Sequence, residues 1–192
     1  MDSSLTIALK EWAVVQRALL EGRQIFLLRK GGLIEESSQF DLRARSFLIQ
    51  PTYIHSSERE GDVSQEFHDW LCDEESKRGS DGMIRFESYC DATECIEIKS
   101  PGTLANLAGQ HIWSDEYLSM RINWEPYKPL YAVIVRTYKL AAPVTAQAHP
   151  EYFGCKSWID LREAVSIDDA APAIEDNGEF EQKIADFMAA IK

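Results

Sequence analysis

Apolar residues recur along this chain at two different spacings, and the spacings assign most of the elements. Leu5, Leu9, Trp12, Val15 or Gln16, and Leu19 fall at helical spacing with Gly22 behind them, which predicts an amphipathic helix over 5–20 with a glycine C-cap. Ile25 to Leu28 is a continuous apolar run followed by Arg29-Lys30-Gly31-Gly32, the pattern of a buried strand entering a turn. Leu33-Ile34 then begins a return, and Phe47-Leu48-Ile49 reads as a strand closed by Pro51, so Gln24 to His55 is expected to form the core hairpin of a sheet. Val63, Phe67, Trp70 and Leu71 mark a helix inside the otherwise polar stretch 57–80.

In the second half, Ile84–Tyr89 and Cys95–Ile98 read as two strands joined near Asp91-Ala92-Thr93, and Leu104–Leu107 and Tyr117–Met120 as short helices, the latter started by Ser114. Leu130 to Tyr138, rich in β-branched and aromatic residues, is the clearest strand. A helix or strand ends near Leu161, and 166–175 reads as an acidic linker. Phe180, Ile184, Phe187, Met188 and Ile191 line one face of a terminal helix, with Asp176 and Glu179 spaced as a capping box. Together these predict an α+β fold: a mixed or antiparallel sheet flanked by helices in a single compact domain. Residues 1–162 would form that domain, with 57–80 an acidic helical insertion, and 163–192 an acidic linker and C-terminal amphipathic helix.

Composition narrows the class. At 192 residues and 45% hydrophobic content the chain can bury a full core. No apolar run approaches the roughly 18 residues a membrane span needs, and no signal peptide opens the sequence, so a cytoplasmic protein without a membrane partner is expected. Cys72, Cys90, Cys95 and Cys155 include no Cys-x-x-Cys pair, which disfavours a zinc site and a disulfide framework. The net charge of −12 is unevenly spread: residues 1–56 carry +1, 57–80 −5, 81–162 −2 and 163–192 −6. The acidity therefore sits in the insertion and the tail. It opposes broad non-specific binding to nucleic acid and leaves room for a local phosphate site.

Several short pieces together resemble the bacterial domain-of-unknown-function family 1802. They are Lys10-Glu11-Trp12-Ala13-Val14, Leu28-Arg29-Lys30-Gly31-Gly32, Pro51-Thr52-Tyr53-Ile54-His55, His111-Ile112-Trp113 through Tyr117 and Arg121, the strand with Arg136 and Tyr138, and Gly154-Cys155-Lys156-Ser157-Trp158. The resemblance spans about residues 8–161 and implies a bacterial cytosolic protein, with no activity or ligand attached.

Three constellations could carry chemistry. Arg29, Lys30, Glu35, Arg43, Tyr53 and His55 gather cations beside Gly31-Gly32, as an anion site requires, with Glu35 and His55 in reach of acid–base roles; the same pattern fits solvated strand ends. Glu97-Ile98-Lys99 on a strand, with Asp81 upstream, could hold a divalent metal as in nucleases of the restriction-enzyme type, the one case in which a cofactor is expected. Acid-x-Lys recurs at Glu75-Ser76-Lys77 and Glu181-Gln182-Lys183 on predicted helices, so only strand context favours Glu97. The third group, His111, Trp113, Tyr117, Arg121, Trp124, Lys128 and Lys156-Ser157-Trp158, interleaves aromatic and basic side chains that can stack on bases or serve as core and rim. The expected partner is a phosphate-bearing ligand or nucleic acid at Arg29, Lys30, Glu35 and His55, with aromatic walls from the second half and with Arg43, Tyr53, Trp113, Arg121 and Lys156 as further ligand-binding residues. The alternatives are the metal-dependent nuclease and an interaction module docking a protein through Phe180, Ile184 and Phe187.

Overall fold

The computed structural model describes residues 4–30, 42–53, 60–78, 82–154 and 156–192. Its frame is a seven-stranded mixed sheet. The strands are β1 (Ser4–Trp12), β2 (Phe26–Lys30), β3 (Ser46–Thr52), β4 (Met83–Ile98), β5 (Leu130–Gln147), β6 (Trp158–Ser166) and β7 (Ala171–Pro172). They run in the order β2-β5-β4-β3-β1-β6, and β7 pairs with β5. β1 and β3 are parallel and every other pairing is antiparallel. Among the described residues five helices flank the sheet: α1 (Ala13–Leu20), α2 (His68–Ser76), α3 (Pro101–Ala105), α4 (Asp115–Asn123) and α5 (Asn177–Ala190). Among the described residues no helix is long and apolar enough to cross a membrane.

Strand alternation builds two cores, one on each face. Leu9, Phe47, Ile49, Phe26, Cys90 and Val133 face a large core roofed by α1, α4 and α5, while their neighbours Ala8 and Leu48 join Phe86, Leu140 and Ile159 on the other face. The helix expected over 5–20 begins only at Ala13; Ser4–Trp12 is a strand. A sequence with Leu5, Leu9 and Trp12 at helical spacing takes the extended form here because β1 sits between β3 and β6 and fills ladders on both edges. The two strands expected over 84–98 are one continuous strand whose register with β5 shifts between Phe86 and Ser88 and between Ala92 and Glu94, as bulges do. Among the described residues of the core hairpin expected within Gln24 to His55, β2 and β3 do not pair with each other: β2 pairs with β5, and β3 with β1 and β4. Gly31-Gly32 and Leu33-Ile34 lie outside the described residues.

The acidic tail is part of the core. Within the stretch expected to be a linker, β7 adds to β5, and Ile174 is buried. Arg136 on β5 donates to Ile174 O at 3.2 Å and to Asn177 Oδ1 at 2.7 Å, and its guanidinium lies over the Phe180 ring. The Asp176 carboxylate accepts from Gly178 N, so it caps α5 directly. Phe187 is 0% exposed and packs on Phe26 at 4.9 Å between ring centroids. Phe180 and Phe187 thus fill the chain's own core, with Ile184 packed against it, and the protein-docking face expected from the sequence is already covered.

Two predictions follow from this packing. Phe187→Ala should lower stability by about 3–5 kcal/mol in urea unfolding; a loss under 1 kcal/mol would mean that α5 is not integral. His111 lies buried against Phe26 and Trp113, and burial outweighs the pull of Asp115 and the Trp113 backbone, pushing its pKa from 6.5 down to about 4. The unfolded chain therefore binds a proton at pH values where the folded one does not. The stability from a neutral His111 is complete above pH 6.5 and is lost as pH falls toward 4, an effect on the order of 3 kcal/mol. Unfolding free energies of His111→Phe measured from pH 7 to 4 should fall less steeply than those of the parent chain.

Candidate nucleic-acid interface

β2 and β1 are separated by three strands in the sheet order, so a flat sheet would hold them roughly 19 Å apart. Instead the guanidinium of Arg29 on β2 donates to Lys10 O at 2.6 Å and to Glu11 Oε2 at 3.0 Å on β1. The sheet is therefore curled until its β2 edge meets β1. The meeting point follows from strand geometry. Lys10 N–H donates to Ser157 O just before β6 begins at Trp158, and Arg29 takes the Lys10 carbonyl.

Glu11 organises this seam. Its Oε1 accepts from Trp12 N at 2.8 Å, Oε2 from Arg29, and its carbonyl from Thr52 Oγ1 at 3.0 Å. The Arg29 and Glu11 side chains are only 12% and 10% exposed, and Arg29 Nε is buried with no hydrogen-bond partner.

A cleft of about 410 Å³ opens over the seam. Lys10, Glu11 and Trp12 come from β1, Leu28 and Arg29 from β2, Thr52 from β3, and Trp113, Tyr117, Met120, Arg121 and Trp124 from α4 and its flanks. Ser114 starts α4 by accepting from Tyr117 N at 3.1 Å, and Lys30 ends it by donating to Arg121 O at 3.1 Å and Ile122 O at 2.7 Å. Burial and the nearby Arg121 lower the Lys30 pKa. Arg121 makes no ion pair with a described residue; it lies over the Trp124 ring and its Nε is buried without a partner. Trp12 stacks at a tilt on Tyr117, 5.1 Å between centroids, and Tyr117 on Trp113 at 6.2 Å. Burial pushes the Tyr117 hydroxyl up to about 12, so it is a neutral hydrogen-bonding group.

A second cleft, of about 450 Å³, shares Lys10 and Thr52 with the first and continues past Tyr53 to Arg78, Arg85 and Phe153. Among the described residues the two together are lined by five basic side chains and one acidic one, in a protein of net charge −12.

The residues singled out in the sequence are thus sorted by the fold. Arg29, Trp113, Tyr117, Arg121 and Trp124 converge on the first cleft, and Tyr53 lines the second. Lys30 lies beneath, fixing the helix that presents Arg121. Arg43, Lys156, Ser157 and Trp158 belong to a separate cleft, where Arg43 pairs with Asp160 at 3.1 Å. His111 is in the core, and Lys128 pairs with Glu125. Glu35, His55, Asp81 and Cys155 lie outside the described residues. Glu97 and Lys99 are exposed, Glu97 faces Tyr131 across the ladder, and neither lines these clefts. Among the described residues no three His, Cys, Asp or Glu side chains gather to hold a metal, and Asp81, the other carboxylate of the Glu97 site, lies outside them.

The sequence did not single out Lys10, Glu11, Trp12 or Thr52 as site residues. With 5–12 taken as helix, Lys10 and Trp12 are about 200° apart, on opposite faces; on a strand, positions i and i+2 point the same way.

Removing one partner of the seam pair leaves a buried charge. Glu11→Ala should destabilise by about 3 kcal/mol, and adding Arg29→Met should restore part of the loss, as a double-mutant cycle in urea will read. Additive losses would show that the pair is not coupled.

Among solved structures, the chain is similar to an ASCH protein from Zymomonas mobilis, at 12% identity and a TM-score of 0.44, covering 93% of this chain and 92% of that one. A mutant of that protein gives 13% identity and a TM-score of 0.42, covering 93% and 95%. No curated protein matches the sequence. A family model matches residues 8–186, and so takes in the acidic insertion and most of the tail as well as the pieces that carry the resemblance; the chain belongs to the family described as Domain of unknown function (DUF1802).

Proposed function

We propose that the protein recognises a nucleotide or a segment of nucleic acid in the cleft over the β1–β2 seam. One observation carries this: Lys10, Arg29 and Arg121 line the same cleft as Trp12, Trp113, Tyr117 and Trp124. A phosphate needs the first group and a base the second. Hydrogen bonds to a charged partner contribute about 1.5–3 kcal/mol each, and stacking of a base on an aromatic ring about 1–3 kcal/mol.

The cations differ in readiness. Glu11 already engages Arg29, which holds it rigidly and weakens its pull on a phosphate, whereas Arg121 meets no carboxylate among the described residues. Arg121 is therefore the principal phosphate contact, positioned by the Lys30 cap on the last turn of α4. The acidic insertion and tail repel polyanions at long range, so attraction is confined to the cleft and binding is selective and salt-sensitive.

Tryptophan fluorescence titration with AMP and with adenosine tests the reading. AMP should quench the cleft tryptophans and bind at least tenfold more tightly than adenosine, and Arg121→Gln should remove most of that advantage. Equal binding of the two ligands, or an unchanged preference in Arg121→Gln, would overturn it.

A further inference from the structure

β3 and β4 part company at a definite place. Their ladder runs from Ser46 to Leu48 and stops, although β3 continues to Thr52 along β1. Pro51, which has no N–H to give a ladder, lies in this unpaired portion, and β4 has its register shift between Phe86 and Ser88 at the same level. The strands splay, and the second cleft fills the fork, with Gln50 and Tyr53 on the β3 side and Arg85 on β4.

Gln50 is the unusual member. It is 6% exposed, its Oε1 is buried, and that oxygen accepts no hydrogen bond. A buried acceptor left unmade costs about 1–3 kcal/mol. Such a group on the wall of a cleft marks the place of a donor brought by a ligand. Around it stand two cations, Arg78 and Arg85, and two aromatic rings, Tyr53 and Phe153, the latter 59% exposed. Lys10 and Thr52 line both clefts, so the two form one path with Lys10 at its midpoint.

We infer that the ligand is a single strand at least two nucleotides long, one nucleotide in each cleft, with Lys10 at the intervening phosphate and Gln50 reading the second base. This rests on the proposed role of the first cleft. Each cleft, at about 410 and 450 Å³, is within the size range of a site for one small ligand. Walls made of aromatic faces take bases that are not stacked in a duplex, so the strand is single. Gln50 Oε1 accepts only, so it takes a donor from the base edge, an exocyclic amino group of adenine, cytosine or guanine or the ring N–H of uracil or thymine.

The same titration, run with AMP, r(A)2 and r(A)4, tests the inference. Affinity should rise at least tenfold from AMP to r(A)2 and little further to r(A)4. Gln50→Met and Arg85→Ala, the second an exposed change that spares the core, should each bring the ratio of r(A)2 to AMP affinity toward one. AMP binding with no gain on lengthening, or that ratio intact in both variants, would overturn the two-nucleotide path while leaving the first cleft standing. Failure of AMP and the oligonucleotides alike would remove both.

Discussion

The contact between Arg29 and Glu11 closes this sheet. Hydrogen bonds between strands fix only nearest neighbours, and nothing in the β2-β5-β4-β3-β1 ladder alone requires its two ends to meet. Right-handed twist curls the ladder; the guanidinium of Arg29 then locks the curl by binding the Lys10 carbonyl and the Glu11 carboxylate together. The closure uses side chains rather than a backbone ladder, so it leaves space. The cleft is that space, roofed by α4 and floored by the pair itself. A full backbone ladder between β1 and β2 would have sealed the seam.

The seam also solves an electrostatic problem. A cation site in a chain of net charge −12 must be kept from collapsing onto the surplus carboxylates. The fold does this by distance and by assignment: acidic residues of the insertion are engaged locally, as Asp73 is by Arg17 and Glu74 by Lys77, and the tail is held by Arg136. Among the described residues lining the cleft Glu11 is the one carboxylate, and its two oxygens already serve Arg29 and the Trp12 amide. Arg121 thus keeps its positive field.

The sequence shows the elements that are locally encoded. Val133 to Val135, the Ser114 cap and the apolar face of α5 are legible because propensity, capping and periodicity each act within a few residues. β1 was not, because Leu5, Leu9 and Trp12 satisfy a helical period and the deciding contacts lie at Leu48 to Thr52 and at Trp158 to Ser166, far along the chain. The same non-locality hid the site. Arg29 and the Trp113–Trp124 group were visible as separate clusters, and Lys10-Glu11-Trp12 only as a piece of a resemblance; curling of the sheet is what joins them. Gln50 had no signature at all, since an unmade hydrogen bond exists only once the surroundings are built.

Arg29 and Lys30 show how one dipeptide can divide a task. They look alike in sequence, two cations at the end of an apolar run, yet successive side chains of a strand point in opposite directions. One joins the seam and keeps a guanidinium at the cleft floor. The other is buried to 6% and gives its protons to the carbonyls of Arg121 and Ile122, where the negative end of the helix dipole favours a cation. Replacing Lys30 would therefore act on the ligand through α4 and the aim of Arg121, whereas replacing Arg29 would act through the closure of the sheet. Both cations belong to the site, and neither works as the free surface charge that the sequence pattern suggests.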